Sequence, residues 1–307
     1  MKLSDLSETE LARRLAGPGL VLHTGPFSVR IGTSIPSVLQ GLSMLYRDYD
    51  VAPIPDYADF HVQLVARGGP RRWYKPQVLF LFDGFAPFKP LPLDQAFPVF
   101  EWGLNWCVAN HMHNYLILHA AVVERGGRAV LLPAPPGSGK STLCAALATR
   151  GWRLLSDELA IISPGDASLI PLPRPVGLKN ASIAVMREFA PQQVIGNETR
   201  DTNKGTVAHM RAPLPSVERA DTPARVGWVV FPKYQNGAPP WLEPLGKADA
   251  FMQLVQNAFN YNVVGAPAFD VLTHIIDGSD CFTFSYGKLE QAMTVFDQLA
   301  SPPRKSA

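Results

Sequence analysis

Residues 134–141 read Ala-Pro-Pro-Gly-Ser-Gly-Lys-Ser. They are entered from an apolar run, Ala129 to Leu132, and left by a stretch whose apolar positions Leu143, Ala146 and Leu147 follow the helical period. No other feature restricts the fold as tightly. Gly151 stands where that helix should be capped, and Arg153 to Ser156 reads as the next strand, ended by Asp157 and Glu158. Strand, glycine turn, helix and strand in this order predict an α/β fold, a mostly parallel sheet with helices on its faces.

The spacing of the turn is that of the Walker A loop, with Ala134 where the common pattern has glycine. Gly137 and Gly139 let the backbone curl until successive N–H groups point inward, and the N-terminus of the helix adds its partial positive charge. Such a nest suits a nucleotide's phosphates. Residues Gly137, Ser138, Gly139, Lys140, Ser141 and Thr142 are the expected cradle, with Lys140 reaching the outer phosphates and Ser141 ligating Mg²⁺. Pro135 and Pro136 have no N–H to give, so the donors lie from Gly137 onward. Ala134 is tolerable if its position does not need positive φ. Asp157 and Glu158, at a strand end in the same unit, could bind Mg²⁺, accept a proton from an attacking hydroxyl, or divide those tasks. The plainer alternative is a helix cap or a solvated turn.

The rest of the chain sets limits. Its 307 residues suggest one large domain with a smaller companion, and the texture changes near residue 113. Residues 1–112 are expected to form an N-terminal α+β domain for acceptor recognition or oligomerisation, and 113–307 the loop-bearing domain. A short helix capped by Asp5 or Ser7 should open the chain, with Leu6, Leu11 and Leu15 inward. Strands are expected at Phe27 to Ile31, Phe60 to Ala66, Val78 to Phe82 and Leu116 to Val123, and helices at Phe97 to Met112, Ala248 to Phe259 and Leu289 to Leu299. The 29 prolines are spread along the chain and argue against a helical bundle.

Charge is balanced. Residues 1–112 carry ten basic and ten acidic side chains and residues 113–307 carry 18 and 16, so neither part has the basic excess that nucleic acid or an anionic membrane would require. There is no apolar run of spanning length and no signal-peptide core, and Cys107, Cys144 and Cys281 form neither a disulfide framework nor a metal knuckle. The chain reads as cytoplasmic.

Residues 196–211 are polar and glycine-bounded, a candidate mobile lid in which Lys204, His209 and Arg211 could meet phosphate or an acidic peptide. An exposed polar loop explains them equally well. Arg174 and Lys179 are candidates of the same kind. Asn260 reads as a helix cap, and the Phe and Trp residues of the first domain read as core.

Three segments together resemble the HPr kinase/phosphorylase family, in its HPr-kinase-related branch. They are Leu118-His119-Ala120-Ala121-Val122-Val123, Ala134 to Thr142, and Arg150-Gly151-Trp152-Arg153-Leu154-Leu155-Ser156-Asp157-Glu158. The resemblance covers residues 118–158. It implies a P-loop kinase domain of the HPr kinase type, with Asp157 as catalytic base, His119 as its helper, and ATP and Mg²⁺ as cofactors. The family's second Asp is Glu158 here. Its metal-binding Glu has no counterpart in Leu172-Pro173-Arg174-Pro175-Val176-Gly177, which leaves Ser141 and Glu158 for the metal and puts reverse phosphorolysis in doubt.

The expected activity is therefore ATP-dependent phosphoryl transfer to a serine or other hydroxyl of a protein or peptide, by a chain that could form homo-oligomers and binds neither nucleic acid nor membrane. A small-molecule kinase on the same loop and a nucleotide-sensing module without transfer are the alternatives.

Overall fold

The computed structural model describes residues 1–52 and 57–301. The chain forms a mixed α/β structure of two compact units. One comprises Met1–Met112 with Leu172–Arg187 and Gln192–Asp221; the other comprises His113–Pro171, Glu188–Pro191 and Thr222–Ala307. The segment 172–221, apart from Glu188–Pro191, thus belongs with the N-terminal residues.

The first unit is built on a six-stranded sheet. Its strands Phe27–Thr33, Phe60–Ala66 and Gln77–Phe82 bury every second residue, among them Phe27, Val29, Ile31, Phe60, Val62, Leu64, Val78 and Phe80. Period-two burial is what a sheet with one covered face requires. The helix Ala96–His111 lies so close to this sheet that a Cβ on Gly103 would stand 2.1 Å from the Phe80 ring. The opening helix is Glu8–Ala16, capped by Ser7, whose hydroxyl accepts the Glu10 N–H at 3.2 Å; Leu11 and Leu15 are buried.

Residues 196–211 are not an irregular loop. Thr199–Thr202 and Gly205–Met210 form a hairpin that pairs with Val176–Lys179 in a three-stranded sheet. Gly205–Met210 is the central strand and is paired on both sides, which the composition of the stretch conceals. A second correction concerns the aromatics of this unit. Phe80 and Phe100 are core, but Trp73 is 80% exposed and Phe85 also faces solvent.

The second unit has an eight-stranded sheet that is mixed, not mostly parallel. Among the described residues of this sheet, direct parallel pairing is confined to Arg128–Pro133, Arg225–Tyr234 and Asp280–Tyr286. Leu116–Arg125 lies antiparallel to Arg128–Pro133, because the tight turn at Gly126-Gly127 joins them directly and leaves no chain for a crossover. Beyond it, Arg153–Ser156 and Leu159–Ile162 pair successively, both antiparallel, with Leu116–Arg125. Nine of the ten residues of Leu116–Arg125 are buried or half-buried, as a central strand demands.

Candidate functional site

Two antiparallel pairings in succession return a strand to its original direction. Arg153–Ser156 therefore points the same way as Arg128–Pro133, and the carboxyl ends of both emerge at one edge of the sheet. Arg225–Tyr234 and Asp280–Tyr286, parallel to Arg128–Pro133, end there too. The turn 134–139, the acids at 157–158 and the tyrosines at 234 and 286 thus share the edge where open α/β sheets receive ligands.

After Pro133 the chain buries Ala134 and turns through Gly137 and Gly139, whose φ values are +86° and +87°. Ala134 has no positive φ, which is why alanine can replace glycine there. The helix Lys140–Thr149 begins with Gly139 as its left-handed cap and no capping side chain. Its first intrahelical bond is Leu143 N–H to the Gly139 carbonyl at 3.0 Å, so the geometry of the first turn leaves the N–H groups of residues 140–142 directed outward along the axis. Gly151, at φ +88°, ends this helix in the expected position, with Trp152 N–H returning to the Leu147 carbonyl at 3.2 Å.

The turn is held from outside. Tyr234 N–H donates to the Ser138 carbonyl at 2.8 Å, and the Tyr286 hydroxyl donates to the Gly139 carbonyl at 3.0 Å. The two tyrosine rings meet edge to face at 5.7 Å. Burial, and to a lesser degree Tyr234, raises the Tyr286 hydroxyl well above the ordinary tyrosine range, so it stays a donor. A Cβ on Gly139 would lie 2.6 Å from the Tyr286 oxygen and 2.8 Å from the Tyr234 Cβ; only glycine fits. These tyrosines are far away in sequence, and nothing near the motif signals them.

Lys140 is buried and Ser141 and Thr142 are half-buried. The Ser138 hydroxyl is buried without a hydrogen-bond partner, a polar atom that a ligand oxygen in the turn would satisfy. Cys144, one helical turn after Lys140, donates its thiol to the Ser156 carbonyl at 3.7 Å. Its thiol is pushed well above its usual range, chiefly by burial, with the Asp157 carboxylate raising and the Lys140 ammonium lowering it.

Asp157 and Glu158, both half-buried, occupy the break between Arg153–Ser156 and Leu159–Ile162. The Ser156 hydroxyl spans them by accepting the Leu159 N–H at 3.1 Å. Leu159 is paired with His119, and Pro133, where the turn departs, with Ala120. His119, Asp157, Glu158 and Lys140 therefore belong to one neighbourhood. His119 is half-buried, its ring edge to face with Phe259 at 5.8 Å, and its backbone N–H donates to the Asn257 carbonyl at 2.7 Å. Asn260 heads a short helix, as expected, but its side chain replaces a missing strand. Its oxygen accepts the Ile117 N–H at 2.9 Å and its amide donates to the Tyr115 carbonyl at 2.8 Å.

The other five candidates lie in the first unit. Lys179 ends the strand Val176–Lys179, and its backbone N–H donates to the Ser182 hydroxyl at 2.7 Å. Arg174 is buried and its guanidinium is engaged by Glu101 at 2.5 Å, by Asn105 at 2.6 Å and by the Tyr46 hydroxyl at 3.4 Å. His209 is buried against the Phe97 ring at 5.4 Å. Arg211 donates to the Met44 carbonyl at 2.8 Å, and burial lowers its pKa. Lys204 is exposed over the Trp102 ring at 4.9 Å. Arg174, His209 and Arg211 are tied into their own unit by neighbours that a reading of the sequence has no means of seeing.

Among the described residues no group of three or more His, Cys, Asp or Glu side chains is gathered as a metal site, and no helix is long and apolar enough to cross a membrane. Mg²⁺ at nucleotide sites typically takes one or two protein ligands and completes its shell with phosphate and water, a need that Ser141 with Glu158 could meet.

No family model matches the chain, and no curated protein matches its sequence. Among solved structures it resembles the Hpr(Ser) kinase/phosphatase from Coxiella burnetii. The identity is 13% and the TM-score 0.26, over 60% of this chain and 96% of that one. The likeness is distant.

Proposed function

We propose that the chain is an ATP-dependent phosphotransferase whose acceptor is a serine or other hydroxyl of a protein or peptide. The observation that carries this reading is the juxtaposition at one sheet edge of a glycine turn opening the helix at Lys140 and a carboxylate at Asp157, at the ends of strands that point the same way.

ATP would lie with its phosphates along the N–H groups of Gly139 to Thr142, and Mg²⁺, held by Ser141 and Glu158, would supply charge neutralisation at those phosphates. Lys140 would hold the outer phosphate oxygens and Ser138 would add a neutral donor. Asp157 would accept the proton of the incoming hydroxyl, with His119 orienting that step. Such a site works by alignment and electrostatics and needs no covalent intermediate. The first unit would contribute acceptor recognition or contacts between copies.

The test is incubation of the full chain with γ-labelled ATP, Mg²⁺ and a lysate, followed by mapping of the label. Label on polypeptide serine, abolished in Asp157→Asn, is the expected result. Label confined to metabolites would make the acceptor a small molecule. Nucleotide binding without any transfer would leave a sensing module.

A further inference from the structure

The strands Phe60–Ala66 and Gln77–Phe82 form an antiparallel pair whose connection runs Arg67-Gly68-Gly69-Pro70-Arg71-Arg72-Trp73-Tyr74-Lys75-Pro76. We propose that this tip docks an acidic segment of a partner polypeptide, with Arg67, Arg72 and Lys75 meeting its carboxylates and Trp73 and Tyr74 its apolar side chains. The inference stands whether or not the turn at Lys140 supports phosphoryl transfer.

Four observations carry it. First, two large aromatic rings are turned into solvent side by side, Trp73 at 80% exposure and Tyr74 at 73%. Isolated exposed apolar residues are ordinary; two adjacent aromatics at a loop tip mark a recognition surface. Second, each ring is covered on a face by a cation, Arg72 at 4.6 Å over Trp73 and Lys75 at 5.4 Å over Tyr74. The pairs hold aromatic and cationic groups together in one patch.

Third, the charge is uncompensated along the hairpin. Between Asp59 and Asp83 the sequence has Arg67, Arg71, Arg72 and Lys75 and no acid. The two flanking acids are used at the opposite end of the strand pair: Asp59 accepts from the Ser28 N–H at 2.8 Å, and Asp83 lies 3.3 Å from the His61 ring. Fourth, the backbone of the tip is hydrogen-bonded: Arg67 N–H to the Gln77 carbonyl at 2.8 Å closes the hairpin, and Arg72 N–H to the Gly69 carbonyl at 3.1 Å shapes the turn.

The same chemistry could suit other anions, but less well. Single-stranded nucleic acid needs a basic track along several phosphates, and the first 112 residues carry no net basic excess from which to build one. Anchoring in an anionic membrane needs more inserted apolar surface than two rings already engaged by cations. A short segment alternating carboxylates with apolar side chains matches a compact patch of alternating cations and rings, and Arg72 can take a carboxylate in bidentate fashion.

The experiment measures fluorescence anisotropy of the full chain with four probes: a labelled peptide alternating glutamate and leucine, its glutamine counterpart, an oligothymidylate, and vesicles of phosphatidylcholine with phosphatidylserine. The acidic peptide should bind and the glutamine peptide should not, with binding weakened by added salt. Arg72→Ala with Trp73→Ala should reduce that affinity by about tenfold or more, as loss of an aromatic–arginine anchor does. Both side chains are exposed, so the variant should keep the wild-type circular dichroism and Tm. Equal binding by wild type and variant, no binding of the acidic peptide, or preference for the oligonucleotide or the vesicles would each overturn the proposal.

Discussion

The Tyr286 hydroxyl donates a hydrogen bond of 3.0 Å to the carbonyl of Gly139, the residue that immediately precedes Lys140. The same carbonyl accepts the Leu143 N–H, so one oxygen joins the last residue of the turn, the first turn of the helix and the end of a parallel strand. The orientation of the outward N–H groups is thereby coupled to the sheet, and the coupling is open to test without disturbing the motif itself. Tyr286→Phe removes one donor and keeps the ring. It should cost about 1 kcal/mol of stability, typical of a single hydrogen bond. In isothermal titration with a non-hydrolysable ATP analogue it should also weaken binding about threefold or more, since 1.4 kcal/mol corresponds to tenfold. An affinity equal to wild type would show that the tyrosine does not position the turn.

The two left-handed glycines of the turn should respond differently to alanine. At Gly137 the added methyl meets open space and only the φ of +86° opposes it, at about 1–2 kcal/mol. At Gly139 the same conformational cost is joined by contacts of 2.6 Å and 2.8 Å with Tyr286 and Tyr234. Gly139→Ala should therefore lower Tm, and analogue affinity with it, more than Gly137→Ala. Equal losses in the two variants would contradict the close approach.

Asp157→Asn keeps the size and hydrogen-bonding reach of the side chain while removing its basicity. Turnover should fall by about 10²–10⁴-fold, the usual contribution of a general base. Analogue affinity should stay within about twofold, below the 1.4 kcal/mol that a tenfold change requires. If binding collapses together with turnover, the carboxylate holds the metal or the turn instead of the acceptor proton. Glu158→Gln separates these roles further, because loss of a metal ligand should raise the Mg²⁺ concentration needed for half-maximal rate.

Arg174 and Glu101 are both almost fully buried and form the centre of a network with Tyr46 and Asn105. Removing one partner strands the other charge in the interior. Arg174→Ala should destabilise by about 3–5 kcal/mol in urea denaturation, whereas Arg174→Met paired with Glu101→Leu should recover most of that loss. If Arg174→Ala is as stable as wild type, the ion pair is not structural.

Buried acids that stay protonated make the fold sensitive to alkali. Burial pushes the Cys107 thiol up to about 12 and holds the Cys144 thiol and the Tyr46 and Tyr49 hydroxyls well above their ordinary values. The folded state then keeps protons that the unfolded chain gives up. The contribution is fully present below the ordinary thiol value of 9.0 and is lost as pH rises towards 12. Tm should be level from about pH 7 to 8.5 and decline above it, and alkylation of the thiols should follow unfolding and not precede it. Rapid modification of Cys107 in the native protein at pH 8 would refute this.

Local rules made much of the frame readable. Helix ends at Ser7 and Gly151, alternating burial along Phe60–Ala66, and the strand–turn–helix around Lys140 depend on neighbours a few residues apart, where capping, period and glycine conformation act. The hairpin at 199–210 escaped such rules because its first strand is polar and its second mixes polar with apolar residues without a period of two, and Trp73 escaped them because an aromatic side chain carries no mark of whether a partner will cover it.

The chain's own order of residues was enough to specify the turn at 134–141, the acids that follow it and the strands that flank both. Those are short-range matters of backbone conformation and hydrophobic period. Only the tertiary structure decided that the sheet is mixed, that Tyr234 and Tyr286 grip the turn, and that Arg174 is spent on Glu101. Each of these depends on which distant groups must share a buried space, and a buried hydrogen bond or charge is satisfied by whatever the fold brings to it, not by its neighbours in the chain.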